Sequence, residues 1–172
     1  MITVIYFWRI KRVNIPFALF RMAIDRTLLR RSNGVTFAKM LGCGKGETFT
    51  PSDADPTRWG CLVVIPENQL ATLDSSLTIR AWRNKAISEF RVVLDPIAAT
   101  GLWSKRKPFE PSAPANFEGQ VVAITRARIK ASQTMRFFKS VPPVTASLHS
   151  SPGLISTIGI GEAPIGLQGT FS

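Results

Sequence analysis

Phe37-Ala-Lys-Met-Leu-Gly-Cys-Gly-Lys-Gly-Glu-Thr-Phe-Thr-Pro51 reads as a strand running into a glycine-rich turn. An echo comes late in the chain, at Ile158-Gly-Ile-Gly-Glu162. Two strand-then-glycine marks so far apart suggest one supersecondary unit used twice. The segments on either side of each mark carry that reading.

Upstream of the first mark, residues 2–8 form an aromatic and β-branched run, a good first strand. Asn14 then offers an N-cap with Pro16 just inside. Phe17, Phe20, Met22, Ile24, Leu28 and Leu29 follow at roughly helical spacing, and Asn33-Gly34 supplies a left-handed stop. A strand over 35–41 leads into the mark at 42–46, and a polar loop runs through Pro51 to Pro56. Residues 58–65 are almost wholly apolar, which predicts a central strand. Residues 67–87 read as a broken helical region that Ser75 or Ser76 recaps, with Leu77, Ala81, Trp82 and Ala86 on its apolar face. A strand over 89–94 completes β-α-β-β-α-β, the ferredoxin-like unit.

The pattern then restarts. The expected division is a first ferredoxin-like half over 1–104, a connector over 105–118 and a second half over 119–172. In the second half a strand spans 120–129 and a helix over 131–138 is interrupted by Pro142-Pro143. A strand over 153–160 meets the second glycine mark, and another strand begins at 166. This half lacks the last helix and strand that the first half has. Such a gap leaves a sheet edge open. The expectation is a chain truncated at its C-terminus; a partner supplying the cover is the alternative.

Composition narrows the class. The 172 residues suit one domain or two small halves sharing a core, and 45% apolar content is too high for a disordered chain. No run of eighteen apolar residues exists, so no membrane-spanning helix is expected. At the N-terminus the apolar residues precede the basic ones, the reverse of a secretory signal. A formal charge of +11 suits nucleic acid, an anionic membrane surface, an acidic protein or simply a basic solvated surface. Cys43 and Cys61 sit in apolar runs without ligand spacing, so buried thiols in a reducing cytoplasm are expected rather than a disulfide.

Few residues announce chemistry. Gly42-x-Gly44-x-Gly46 lacks the following helix of a dinucleotide fingerprint, and Lys45 is followed by Gly rather than Ser or Thr. A turn between adjacent strands, or backbone lying close over a flat cofactor, remains. His149 is the only histidine: a surface residue, or an axial haem ligand or proton shuttle. The carboxylates show no paired acid motif. Arg126 and Arg128 share one face of a strand, which points either to an anionic partner such as a propionate, phosphate or carboxylate, or to a solvated sheet edge. No aromatic string of the RNA-binding type is present, so nucleic acid is not an expected partner.

These residues resemble the spheroidene monooxygenase family, enzymes that introduce keto groups into acyclic carotenoids. The matching marks are residues 37–51, Trp82, residues 92–96, Gly101-x-Trp103 and Pro108-Phe-Glu-Pro111. Ile124-Thr-Arg-Ala127, Ile158-Gly-Ile-Gly-Glu-x-Pro164 and Thr170-Phe-Ser172 continue them in order over nearly the whole chain. The resemblance implies a dimeric α+β barrel built of two ferredoxin-like βαββαβ halves, with a homodimer as an expected assembly. It also implies a haem and dioxygen, and family sequences run on past the last of these marks. By analogy with related haem-binding barrels, His149 is the candidate iron ligand and Arg126 the propionate partner. The implied substrate is an apolar small molecule, a carotenoid, and the implied place is the cytoplasm with peripheral contact at the membrane. The other reading is a non-catalytic binding module whose basic surface meets membrane or nucleic acid.

Overall fold

In the computed structural model, which describes residues 1–45, 51–111, 117–162 and 167–172, the first aromatic run forms β1 (Ile2–Ile10). The chain divides into two compact units, Met1–Met40 with Trp59–Gln120 and Leu41–Arg58 with Val121–Ser172. Three expected features lie wholly or partly outside the described residues. They are Gly46 with the loop through Thr50, the Pro/Ala/Ser run at 112–116, and Pro164 with the strand start at Gly166.

The first unit follows β1 with α1 (Ile15–Arg31), the start of β2 (Phe37–Gly44) and the end of β3 (Ala54–Ile65). Two short helices, α2 (Leu70–Asp74) and α3 (Leu77–Arg83), then lead to β4 (Ala86–Leu94). Its strands lie in the order β4-β1-β3-β2, and β1 pairs with β4 antiparallel, Ile5 opposite Val92. That is the expected ferredoxin-like α+β arrangement, with the apolar β3 inside it. Ser76 recaps the broken helix, accepting a hydrogen bond from the Ile79 amide.

One sheet face meets the helices. Val4, Tyr6, Trp8 and Ile10 of β1 join Ala38, Met40, Cys61, Val63, Ile79 and Trp82 in one core. The Trp8 ring stacks on Tyr6 at 5.5 Å and on Trp82 at 5.2 Å, and Phe17 meets Trp82 edge-on at 5.6 Å. Truncating a buried aromatic of this kind costs about 3–5 kcal/mol. The face of α1 that enters this core differs from the expected one. Ala18, Asp25 and Leu29 are buried, whereas Phe20 and Leu28 are exposed. Tertiary partners decide it: Asp25 turns inward because Trp82 donates to it.

The second unit holds the end of β2, the start of β3, β5 (Ile124–Arg128), α4 (Thr134–His149), β6 (Ile158–Glu162) and β7 (Leu167–Phe171). Neighbours run β2-β6-β7-β5, with β2/β6, β6/β7 and β7/β5 all antiparallel. In it β5, α4, β6 and β7 repeat the succession of β1, α1, β2 and β3, in the same neighbour order. Beside β5, where β4 flanks β1 in the first unit, the described residues hold no strand.

Four expectations fail here. The glycine marks are not turns at Gly42, Gly44, Gly159 or Gly161: these residues lie inside strands, and the two marks pair with each other, Gly42 opposite Gly161 and Cys43 opposite Ile160. Close backbone approach explains the residue type at Gly44. A Cβ on Gly44 would sit 3.2 Å from the Asp53 carbonyl, to which the Lys45 amide donates at 2.9 Å. Pro142 and Pro143 do not interrupt the helix but lie within α4. Each removes a donor and crowds a carbonyl, yet each also fixes a helical φ, and buried Val141 and Thr145 anchor one face across them. The strand expected over 153–160 begins only at Ile158, because Gly153 adopts φ +84° in a turn. β5 is likewise shorter than the expected 120–129.

A charged rim closes the first unit's core beside β4. Tyr6 donates its hydroxyl to Asp74 at 2.9 Å and Trp8 donates Nε1 to Glu89 at 2.7 Å. Arg83 bridges Asp74 and Glu89 at 2.9 Å each, while Arg91 holds Asp74 at 2.6 Å. Burial pushes the Asp74 carboxyl up, but hydrogen bonds from Arg91, Tyr6 and Arg83 outweigh it and hold the group below the usual carboxylate range. A depressed folded pKa means stability present above the unfolded value of about 3.9 and lost as pH falls through the folded one. Asp74→Asn is therefore expected to cost on the order of 2 kcal/mol at neutral pH. Urea unfolding across a pH series should show the gap to the parent chain narrowing as the pH drops below about 3.9.

Candidate functional site

The marks that stand apart in the sequence gather in two places, one in each unit. In the first unit the face of β2 away from the helices carries Phe37 and Lys39, both buried. Trp103 meets Phe37 edge-on at 5.5 Å and Phe109 at 6.2 Å, so the connector lays its aromatics over the strand. A tight hairpin positions them: Trp103 and Arg106 exchange backbone hydrogen bonds of 2.8 and 3.1 Å around Ser104 and Lys105. Those two residues have φ of 53° and 63°, the left-handed pair a type I′ turn requires, without the glycine or asparagine that usually provides it. The Lys39 ammonium donates to the Ser104 hydroxyl at 2.6 Å and lies 5.7 Å from the Phe37 ring centroid. A buried cation with a partner of this kind ties the hairpin down and offsets its backbone strain.

Beside this layer lies a cavity of about 160 Å³ lined by Thr36, Phe37, Val64, Arg106, Pro108 and Glu110 among others. Its walls mix apolar surface with a few charged groups at the rim, the composition of a small-molecule site. Sites that enclose a drug-sized ligand start at roughly 300 Å³, so this cavity is too small to enclose one.

In the second unit the register brings Arg126, Gly169 and Ile160 level across β5, β7 and β6. The Arg126 guanidinium crosses β7 at the side-chain-free Gly169 and donates to Glu162 at 3.0 Å. A Cβ at Gly169 would stand 2.5 Å from the Thr125 carbonyl oxygen, so glycine is what lets this strand sit so close. Arg126 and Glu162 are both mostly buried, at 16% and 9% side-chain exposure, which makes the pair mutually necessary. His149 stands elsewhere, exposed at the C-terminal end of α4.

The residues named for a haem do not by themselves form its seat. An axial histidine needs an enclosing apolar pocket, whereas His149 is exposed. Arg126 would have to leave Glu162 to meet a propionate. Among the described residues no three His, Cys, Asp or Glu side chains cluster as a metal site. Cys43 and Cys61 are free and buried, and burial pushes both thiols well up from their usual range, so neither is a ready nucleophile.

Sequence reasoning missed Lys39, Ser104, Glu162 and Asp25. A lysine alternating with strand hydrophobics was the available signal for the first, since it implies a charge on a buried face. The Arg126–Glu162 pair needed the β5-β7-β6 register, which no local pattern reveals.

No protein-family model matches the chain. It is 33% identical over 138 residues to the spheroidene monooxygenase of Cereibacter sphaeroides, covering 79% of this chain and 42% of the relative. The enzyme of that name from Rhodobacter capsulatus is 30% identical over 171 residues, 92% of this chain and 67% of its own length. That from Rubrivivax gelatinosus is 35% identical over 143 residues, 81% of this chain and 54% of the relative. The chain thus spans about half the length of the curated relatives it matches. A crystal structure of an antibiotic biosynthesis monooxygenase superposes with TM-score 0.44 and 14% identity, over 57% of this chain and 100% of that one. A likeness that distant carries no argument for this chain.

Proposed function

The chain belongs to the spheroidene monooxygenase family, and on that footing we propose that it serves a monooxygenase acting with dioxygen on an apolar polyene of the carotenoid class. The observation that carries the substrate reading is the convergence of Phe37, Trp103 and Phe109 beside the cavity lined by Thr36, Val64 and Pro108. Aromatic and aliphatic walls suit a polyene, which offers no charge to recognise and gains affinity from area removed from water. Family membership favours this reading over a non-catalytic module. In a carotenoid-accumulating host, expression of the protein should convert extracted pigment to a more oxygenated product. Unchanged pigment, while a Rhodobacter capsulatus relative expressed alongside does convert it, overturns the proposal.

Oxidation of an unactivated C–H bond needs an oxidant that no side chain provides, and a haem with dioxygen would supply it. His149 as axial ligand and Arg126 as propionate partner are the residues proposed for it, with the Arg126–Glu162 pair as the obstacle to overcome. Purified protein given haem should show a Soret band that shifts or disappears in His149→Ala. A band unaffected by that change removes His149 from the proposal, and absence of haem uptake removes the cofactor.

No helix among the described residues is long and apolar enough to cross a membrane. Peripheral contact is a separate part of the proposal. The α1 helix exposes Leu19, Phe20 and Leu28, at 58%, 64% and 48%, together with Arg26, Arg30 and Arg31. Apolar residues interleaved with arginines suit an anionic lipid surface. The protein should sediment with anionic vesicles and release as salt rises, because Lys and Arg contacts are screened. Equal binding to neutral vesicles, or none to anionic ones, defeats that reading.

A further inference from the structure

The first unit's core contains a line of oxidisable rings. Tyr6 stacks on Trp8 with 5.5 Å between centroids and 11° between planes, and Trp8 stacks on Trp82 at 5.2 Å and 12°. Trp59 continues the line from Trp82 at 6.3 Å. Among the tryptophans Trp59 is the least buried, at 9% exposure against 0% for Trp82, 1% for Trp8 and 5% for Trp103.

Each of the three stacked rings also gives its polar hydrogen to a carboxylate of its own. Trp82 Nε1 donates to Asp25 at 2.7 Å, Trp8 Nε1 to Glu89 at 2.7 Å and the Tyr6 hydroxyl to Asp74 at 2.9 Å. A buried indole N–H or phenol O–H needs some acceptor, and here each of the three finds a carboxylate, a base able to take the proton. Two of the acceptors reach towards water, since Asp74 and Glu89 have side chains 25% and 23% exposed. Asp25 is fully buried within α1.

We propose that Trp59, Trp82, Trp8 and Tyr6 form a proton-coupled hole relay that carries an oxidising equivalent through this core to Tyr6 at its charged rim. A freely diffusing small-radical oxidant, reduced to its anion, takes an electron from Trp59. Trp82 reduces Trp59 and passes its Nε1 proton to Asp25, becoming a neutral tryptophanyl radical. Trp8 then reduces Trp82, which takes its proton back from Asp25, while the Trp8 proton moves to Glu89. Tyr6 reduces Trp8 in the same manner and gives its hydroxyl proton to Asp74, from which it reaches water. The net change is one electron and one proton lost from Tyr6, with the oxidant reduced by one electron.

The surroundings of Tyr6 require the proton to travel with the electron. The Arg83 and Arg91 guanidinium carbons stand 5.7 and 5.8 Å from its ring centroid. Two cations so close would penalise a tyrosine cation radical, whereas a neutral tyrosyl radical carries no charge for them to repel. A buried carboxylate at Trp82 meets the same need: Asp25 is held up from its usual range, by burial first, against the opposing contacts from Trp82 and Arg21, and so readily accepts a proton. The relay does not rest on the monooxygenase reading. It needs only a one-electron oxidant, and it fails or stands without any substrate or haem present.

The chain has four tryptophans and a single tyrosine, so the two radicals can be told apart without labelling. Pulse radiolysis of the whole chain with azidyl radicals, a neutral one-electron oxidant, should first produce tryptophanyl absorption. That signal is expected to decay as tyrosyl absorption rises at the same first-order rate, independent of protein concentration and slower in heavy water. Trp8→Phe keeps an aromatic ring in the stack but cannot be oxidised, and should slow the rise by roughly tenfold or more. Tyr6→Phe should abolish the rise and leave the tryptophanyl signal standing. No tyrosyl growth in the parent chain, growth that scales with protein concentration, or the same rate in heavy water would each overturn the relay, whatever the variants do.

Discussion

The first unit depends on a buried carboxylate. Asp25 sits in α1 with no exposed surface, accepting a hydrogen bond from Trp82 Nε1 at 2.7 Å and two contacts of 2.9 Å from Arg21. Charge this deep is tolerated only while its partners stay, and removing one leaves the other orphaned in low dielectric. The contact ties α3 to α1 at a specific point, so the two helices hold one register. It also orients the Trp82 ring, and through it the stack with Trp8 and Tyr6. From there hydrogen bonds pass to Glu89 and Asp74 at the rim, so a single polar core contact is continuous with the surface ion pairs of β4.

Much of the first unit was legible from the residues. An aromatic and β-branched run gave β1, an almost wholly apolar run gave the end of β3, Asn14-Ile-Pro16 marked the start of α1, and Ser76 recapped the second helix as its position suggested. The buried face of α1 was not legible, because apolar counting rejects an aspartate at a core position. Glycines misled in the second unit for a related reason. Gly42, Gly44, Gly159 and Gly161 look like turn residues but lie inside strands; at Gly44 the facing backbone presses close, a use of glycine that register reveals and local sequence does not. A proline pair looks like a helix break, yet α4 runs through it, its terms set by packing rather than by propensity.

The candidate site was legible as a set of marks and not as a place. Phe37, Trp103 and Phe109 belong to separate segments, and only the hairpin around Ser104 and Lys105 brings them into one layer. Arg126 stood out as a strand arginine wanting an anion. The structure provides that anion internally, as Glu162 reached across Gly169. The position of His149, at an exposed helix end, is one that no neighbouring residue in the sequence could have supplied.

The pairing of Gly42 with Gly161 has a meaning for how the protein acquires its structure. The two residues are separated by most of the chain, so joining them closes a very long loop before any local contact repays the entropy. Glycine strands add little side-chain packing to hasten that closure. The second unit is also discontinuous, since its segment at 41–58 is continuous at both ends with strands of the first. A growing chain can complete the β1/β4 hydrogen-bond ladder, itself a long-range pairing, before residue 161 exists. The glycine pair is thus a late event, and until it forms the open β2 edge is the part of the molecule with most to lose from a wrong neighbour.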